Sequence, residues 1–232
     1  MLWRAALLAV FAASTSAADT ITAARYDDPT NRYPHAVLGD DIEFGALVLE
    51  TDGGRTVRIV LPETSVFEDV APRLADLDGD GAPEVVTVES HQSRGARLAV
   101  YGTDGLIAAT PHIGTRFRWL APIGIADLDR DGAIEIAYID RPHLARTLRV
   151  VRFADGQLTE VGNSEGFTNH RIGEPDIGGG IRDCGEGPEM IVASRNWQTV
   201  MGVRFIAGVT LSRPLGPYTD RSSFAEALNC ER

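Results

Sequence analysis

Two segments carry carboxylates at a spacing that points to chemistry. One reads Asp76-Leu77-Asp78-Gly79-Asp80-Gly81-Ala82-Pro83-Glu84 and the other Asp127-Leu128-Asp129-Arg130-Asp131-Gly132-Ala133-Ile134-Glu135. They align without a gap, 51 residues apart. In each, three Asp stand at positions 1, 3 and 5, a Gly at position 6 permits a sharp turn, and a Glu closes the set at position 9. Four carboxylates on so short a loop repel one another, and a cation among them relieves the repulsion. Hard oxygen donors select Ca²⁺, with Mg²⁺ second because it demands a tighter shell and keeps its waters. The expected ligands are Asp76, Asp78, Asp80, the Ala82 carbonyl and Glu84, then Asp127, Asp129, Asp131, the Ala133 carbonyl and Glu135, for up to two ions. An EF-hand is rejected, since its loop needs a bidentate Glu at position 12, where Thr87 and Tyr138 stand here.

The elements around these loops must be strands. Each loop runs into a stretch rich in β-formers, Val85–Val88 and Ile136–Ile139. A shorter acidic segment, Asp183–Glu189, leads into Met190–Ala193, and a fourth, around Asp40–Glu43, precedes Ala46–Leu49. The landmarks Glu43, Glu84, Glu135 and Glu189 are separated by 41, 51 and 54 residues, close to the period of a propeller blade. Between them short β-runs alternate with turns such as Asp104-Gly105 and Asp155-Gly156. Further strands are expected at Val57–Leu61, Arg97–Tyr101, Leu106–Ala109, Trp119–Ala126, Leu148–Phe153, Leu158–Val161, Val200–Ile206, Val209–Ser212 and around Ile172. His35–Leu38 is expected to pair with the last unit and close a ring. One helix signal occurs, Ser222–Leu228, with Ser222 as its cap.

Asp-x-Asp-x-Asp-Gly-x-x-Glu loops between strands at this period resemble the FG-GAP/VCBS repeats of integrin α-type propellers and of many secreted bacterial proteins. The resemblance implies an all-β fold, a small β-propeller of about four blades (five if the ends hide another sheet), with structural Ca²⁺ in its inter-strand loops. The chain departs from the family in three ways. It is too short for seven blades, it has Glu where Asp is common at position 9, and its third loop lacks the central carboxylates. The family's metal role therefore carries over only to the two complete loops, and metal binding at Asp183–Glu189 is not expected.

Composition narrows the function. The net charge is -11, which disfavours nucleic acid as a partner. Lys is absent, which excludes a Walker-type phosphate loop and Schiff-base chemistry. Residues 1–18 read as a secretory signal peptide, with Arg4, an apolar run and a small-residue cleavage site, leaving 19–232 as one domain that is periplasmic or secreted. No later stretch is apolar enough to span a membrane. In an oxidising compartment Cys184 and Cys230 are expected to form a disulfide.

Other motifs weigh less. Gly162-Asn163-Ser164-Glu165-Gly166 has the pattern of a nucleophile elbow without the strand-to-helix setting, so no catalytic residue is assigned. Asn169, His170 and Arg171, with Trp197, are the expected ligand surface. The function expected is a non-enzymatic, monomeric module binding a protein or glycan. The alternative is a glycan-active hydrolase or lyase.

Overall fold

A computed structural model describes residues 19–232; residues 1–18, read above as a signal peptide, lie outside the described residues. The described residues are all-β with a single short helix. Three antiparallel sheets follow one another in chain order. The first holds β1 (Ile21–Thr30), β2 (Glu43–Thr51), β3 (Thr56–Val60), β4 (Ser65–Phe67), β5 (Arg73–Ala75), β6 (Glu84–His91), β7 (Gly95–Gly102) and β8 (Gly105–Ala109). The second holds β9 (Leu120–Ala126), β10 (Glu135–Asp140), β11 (Thr147–Ala154) and β12 (Gln157–Glu165). The third holds β13 (Phe167–Thr168), β14 (Gly180–Asp183), β15 (Pro188–Ser194), β16 (Thr199–Ile206) and β17 (Val209–Pro217), and α1 (Ser222–Leu228) follows it.

The strand pattern explains the stacking. Side chains alternate between the two faces of a strand, and here the central strands bury both. On β6 and β7, Val85, Ala99 and Tyr101 turn toward β2 and Phe67. Val86, Val88, Leu98 and Val100 turn the other way, onto Leu120, Ile136, Tyr138, Val151 and Phe153 of the second sheet. Ala137, Ile139, Leu148 and Val150 then meet Met190, Val192, Val203 and Phe205 of the third. On the far face of that sheet, Ile191, Ala193 and Val200 pack against Tyr218, Phe224 and Ala227. The helix therefore covers the face that a further sheet would cover.

The hairpins form where the sequence has turn chemistry. Asp155 and Gly156 both have positive φ, the conformation a two-residue hairpin of primed type needs, and they join β11 to β12. Ala207 and Gly208 do the same between β16 and β17.

Three local expectations are corrected. His35–Leu38 is a turn, and no strand there pairs with the third sheet. The Val37 side chain is buried in the core between the first two sheets, and its carbonyl accepts a hydrogen bond from Gly173 N. Ile172 is 70% exposed in a turn, not a strand. Ser222 does not cap α1: Arg221 holds the cap position without a side-chain bond, and Asp220 Oδ1 instead accepts from the Ser222 N–H and hydroxyl. Among the described residues no helix is long and apolar enough to cross a membrane.

Candidate metal centre

The two acidic loops connect β5 to β6 and β9 to β10, and they fold alike. Asp76 Oδ2 accepts from Gly81 N at 3.0 Å, and Asp127 Oδ2 from Gly132 N at 3.0 Å. Asp80 Oδ1 accepts from Ala82 N, and Asp131 Oδ1 from Ala133 N. Each closing Glu turns back into its loop, where Glu84 Oε2 accepts from Leu77 N and Glu135 Oε2 from Leu128 N, both at 2.9 Å. Gly81 and Gly132 take φ of +89° and +93°, a region closed to most residues with a Cβ. The wrapping draws Asp76, Asp78 and Glu84 together so that one oxygen of each lies within 4.8 Å of the others, and likewise Asp127, Asp129 and Glu135. Oxygens gathered at this distance can hold a metal ion. Asp80 and Asp131, also expected as ligands, lie outside these tight triads and hold the loop backbone.

The surroundings of the two closing glutamates differ. Glu84 is 8% exposed and Glu135 is 0% exposed. Burial raises both above the ordinary carboxylate value. Beside Glu84, Asp78 and Asp80 add to the rise, against the Leu77 N–H. Beside Glu135, the Leu128 N–H and Arg152 oppose it. The register pairs Glu135 with Arg152 across β10 and β11. Arg152 Nε lies 2.6 Å and Nη2 2.5 Å from Glu135 Oε1. Its Nη1 is 2.9 Å from Asp131, and its Nη2 is 3.4 Å from Asp129. In the first sheet the register Val85↔Tyr101 brings Gly102 to the corresponding place. A cleft of about 200 Å³ opens there, lined in part by Asp19, Ala82, Glu84, Gly102 and Asp104. Among the described residues no Arg forms an ion pair with Asp76, Asp78, Asp80 or Glu84.

The third loop, Asp183–Glu189, keeps the wrapping without the central acids. Asp183 Oδ1 accepts from Gly185 N and Gly187 N, and with Arg130 nearby these bonds hold its carboxyl below the ordinary value. Glu189 is clasped by Arg182 at 2.6 Å and Arg213 at 2.8 Å. Burial pushes it up, yet the bonds from Arg213 and Arg182 outweigh this and leave it lowered. Cys184 of this loop is disulfide-bonded to Cys230 beyond α1, with Cα atoms 5.8 Å apart. The expected pairing is met.

The expected ligand surface is only partly at the surface, with Arg171 exposed and Trp197 half-buried. Asn169 and His170 are fully buried. Asn169 Nδ2 donates to the Ala121 and Pro122 carbonyls. His170 Nε2 donates to the Glu174 carbonyl, which leaves its Nδ1 to accept from His143 Nε2 at 3.1 Å. Burial, with His170 and His35 close by, lowers His143 to about 4. Arg171 lies over the Trp197 ring at 4.4 Å, so that ring already stacks on a guanidinium. Ser164 of the elbow-like motif pairs with Leu148 in the β11–β12 hairpin, and no helix follows it.

Sequence reading missed the arginines Arg152, Arg182 and Arg213. Strand register sets Arg152 and Arg182 opposite their glutamates, and Arg213 reaches Glu189 from β17. It also missed the buried Glu68, which bonds His35 at 2.5 Å and the Ser90 hydroxyl.

Residues 76–138 match the family model described as FG-GAP-like repeat. No curated protein matches the chain. The matched span opens on Asp76 and ends three residues past Glu135, so it takes in both acidic loops and the strands between them. The chain thus carries an FG-GAP-like repeat, with the paired acidic loops at its two ends.

Proposed function

We propose that this chain is an exported, propeller-like binding module in which Ca²⁺ in the acidic loops is a structural staple and no reaction is catalysed. One observation carries the reading: two loops with the same hydrogen-bond wrapping gather three carboxylates each within 4.8 Å. The propeller reading, of about four blades, is supported by the FG-GAP-like repeat at residues 76–138 and by antiparallel sheets that follow one another along the core. Export is supported by the N-terminal pattern of residues 1–18 and by the Cys184–Cys230 disulfide. The partner is a protein or a glycan, met as a monomer.

The ion's role is thermodynamic. A ligand that binds only the folded state stabilises it by about 2.7 kcal/mol at 100-fold excess over its dissociation constant. The test is a melting curve in calcium and in EGTA, with metal analysis of the dialysed protein. A calcium-dependent rise of several degrees, lost in Asp76→Ala, is expected. No bound metal and no shift would refute the staple. A glycan cleavage that survives loss of the metal loops would favour the hydrolase or lyase reading.

A further inference from the structure

We infer that Arg152 is the built-in cation of the second loop, so that of two acidic loops with matching carboxylates only the first takes a divalent ion tightly. The inference rests on the calcium reading above and narrows it.

The argument starts from charge. Each loop brings together carboxylates whose mutual repulsion needs a positive partner. In the second loop a fixed one is already present. The Arg152 guanidinium lies 2.5 Å from Glu135, 2.9 Å from Asp131 and 3.4 Å from Asp129. It cannot lose its charge in the range where proteins fold. The Arg152 side chain is 25% exposed, Asp129 9% and Glu135 0%, so water screens these contacts only in part.

Donor capacity leads to the same conclusion. Ca²⁺ takes six to eight oxygens. Both oxygens of Glu135 are engaged, Oε1 by Arg152 and Oε2 by Leu128 N. An ion entering this loop must push a guanidinium away from three carboxylates. In the first loop Glu84 Oε2 is engaged by Leu77 N, and among the described residues no Arg forms an ion pair with Glu84. The place filled by Arg152 is taken there by Gly102, and a cleft lined in part by Ala82, Glu84 and Gly102 lies where the guanidinium would be. The loops share three hydrogen bonds of their wrapping and differ in the residue that register sets opposite the closing Glu.

Equilibrium dialysis against Ca²⁺ tests this on the purified full chain. The expected result is one tight ion per chain, lost in Asp78→Asn and kept in Asp129→Asn. Arg152→Met, which keeps much of the apolar stem and removes the charge, is expected to bind two ions, the second at least tenfold tighter than the wild-type second loop. Two ions of similar affinity in the wild type would overturn the inference and leave the calcium reading standing. So would loss of the tight ion in Asp129→Asn instead of Asp78→Asn, or a single ion in a folded Arg152→Met. No ion in any of these proteins would overturn the calcium reading itself. The two Asn variants decide the matter even where Arg152→Met does not fold, as judged by far-UV circular dichroism.

Discussion

The first and third loops solve one problem in opposite ways. Each ends on a Glu that opens or nearly opens a buried strand, with the strand before it and the hairpin after it on either side. Around Glu84 those neighbours are Ala75 and Gly102, and among the described residues no Arg forms an ion pair with it. Around Glu189 they include Arg182, its partner in the register, and Arg213 also reaches the carboxylate. The second loop stands between them with Arg152 alone. The difference teaches that cross-strand neighbours, and not the loop, decide whether arginines reach the closing Glu. Burial raises the Glu84 carboxyl above its ordinary value, whereas the bonds from Arg213 and Arg182 outweigh burial and hold Glu189 below it.

The sharpest way to break the comparison is at Arg182. Its side chain is 2% exposed, and it holds Glu189 as well as the Ala227 carbonyl. Arg182→Met should destabilise by about 3–5 kcal/mol in chemical denaturation, because a buried pair is broken and a carboxylate is left short of partners. Next comes the Cys184–Cys230 bridge, which closes the same loop. Cys184→Ser with Cys230→Ser should cost about 2–4 kcal/mol, whether or not calcium is present. Gly102→Arg should sharpen the contrast by giving the first loop the partner of the second. Its Cβ would meet only the end of the Ile107 side chain. The expected result is that most of the calcium-dependent stabilisation, about 2–3 kcal/mol in excess ion, disappears from the melting curve.

Acid provides a gentler test. Glu189 is held below its unfolded value of 4.5. Its contribution is therefore fully present above that pH and is lost as pH falls through the lower folded value. The stability gap between wild type and Arg182→Met should shrink below pH 4.5, when urea titrations are compared at pH 6 and at lower values. Smallest is Arg130→Ala. Arg130 joins the second loop to Asp183 of the third at 2.7 Å, with both side chains about half exposed. Such a pair is worth about 0.2–1 kcal/mol, and a larger loss would show that the loops are coupled.

Local chemistry was legible in the sequence. Glu43, Glu84 and Glu135 each open a strand and Glu189 lies one residue inside its own, because a turn followed by β-formers is a short-range signal. The Asp-Gly hairpins and the Ser222–Leu228 helix were legible for the same reason. β1 was not. It is largely exposed and carries Arg25, Asp27, Asp28 and Pro29, which suits an edge strand that must not recruit other chains and resembles a loop in composition. Nor was the burial of His170 legible, since a polar Thr-Asn-His-Arg run reads as surface until its partners Glu174 and His143 are in place. The roles of Arg152 and Arg182 depend on register, which no local pattern of charge reveals.

The Cys184–Cys230 bond has a mechanical consequence. When the molecule is stretched from its two ends, tension entering at the tail crosses through sulfur to the turn before β15 and bypasses everything between. β15 to β17 and α1 then carry no load while the bond is intact, and only reduction hands that stretch of chain to the pulling force.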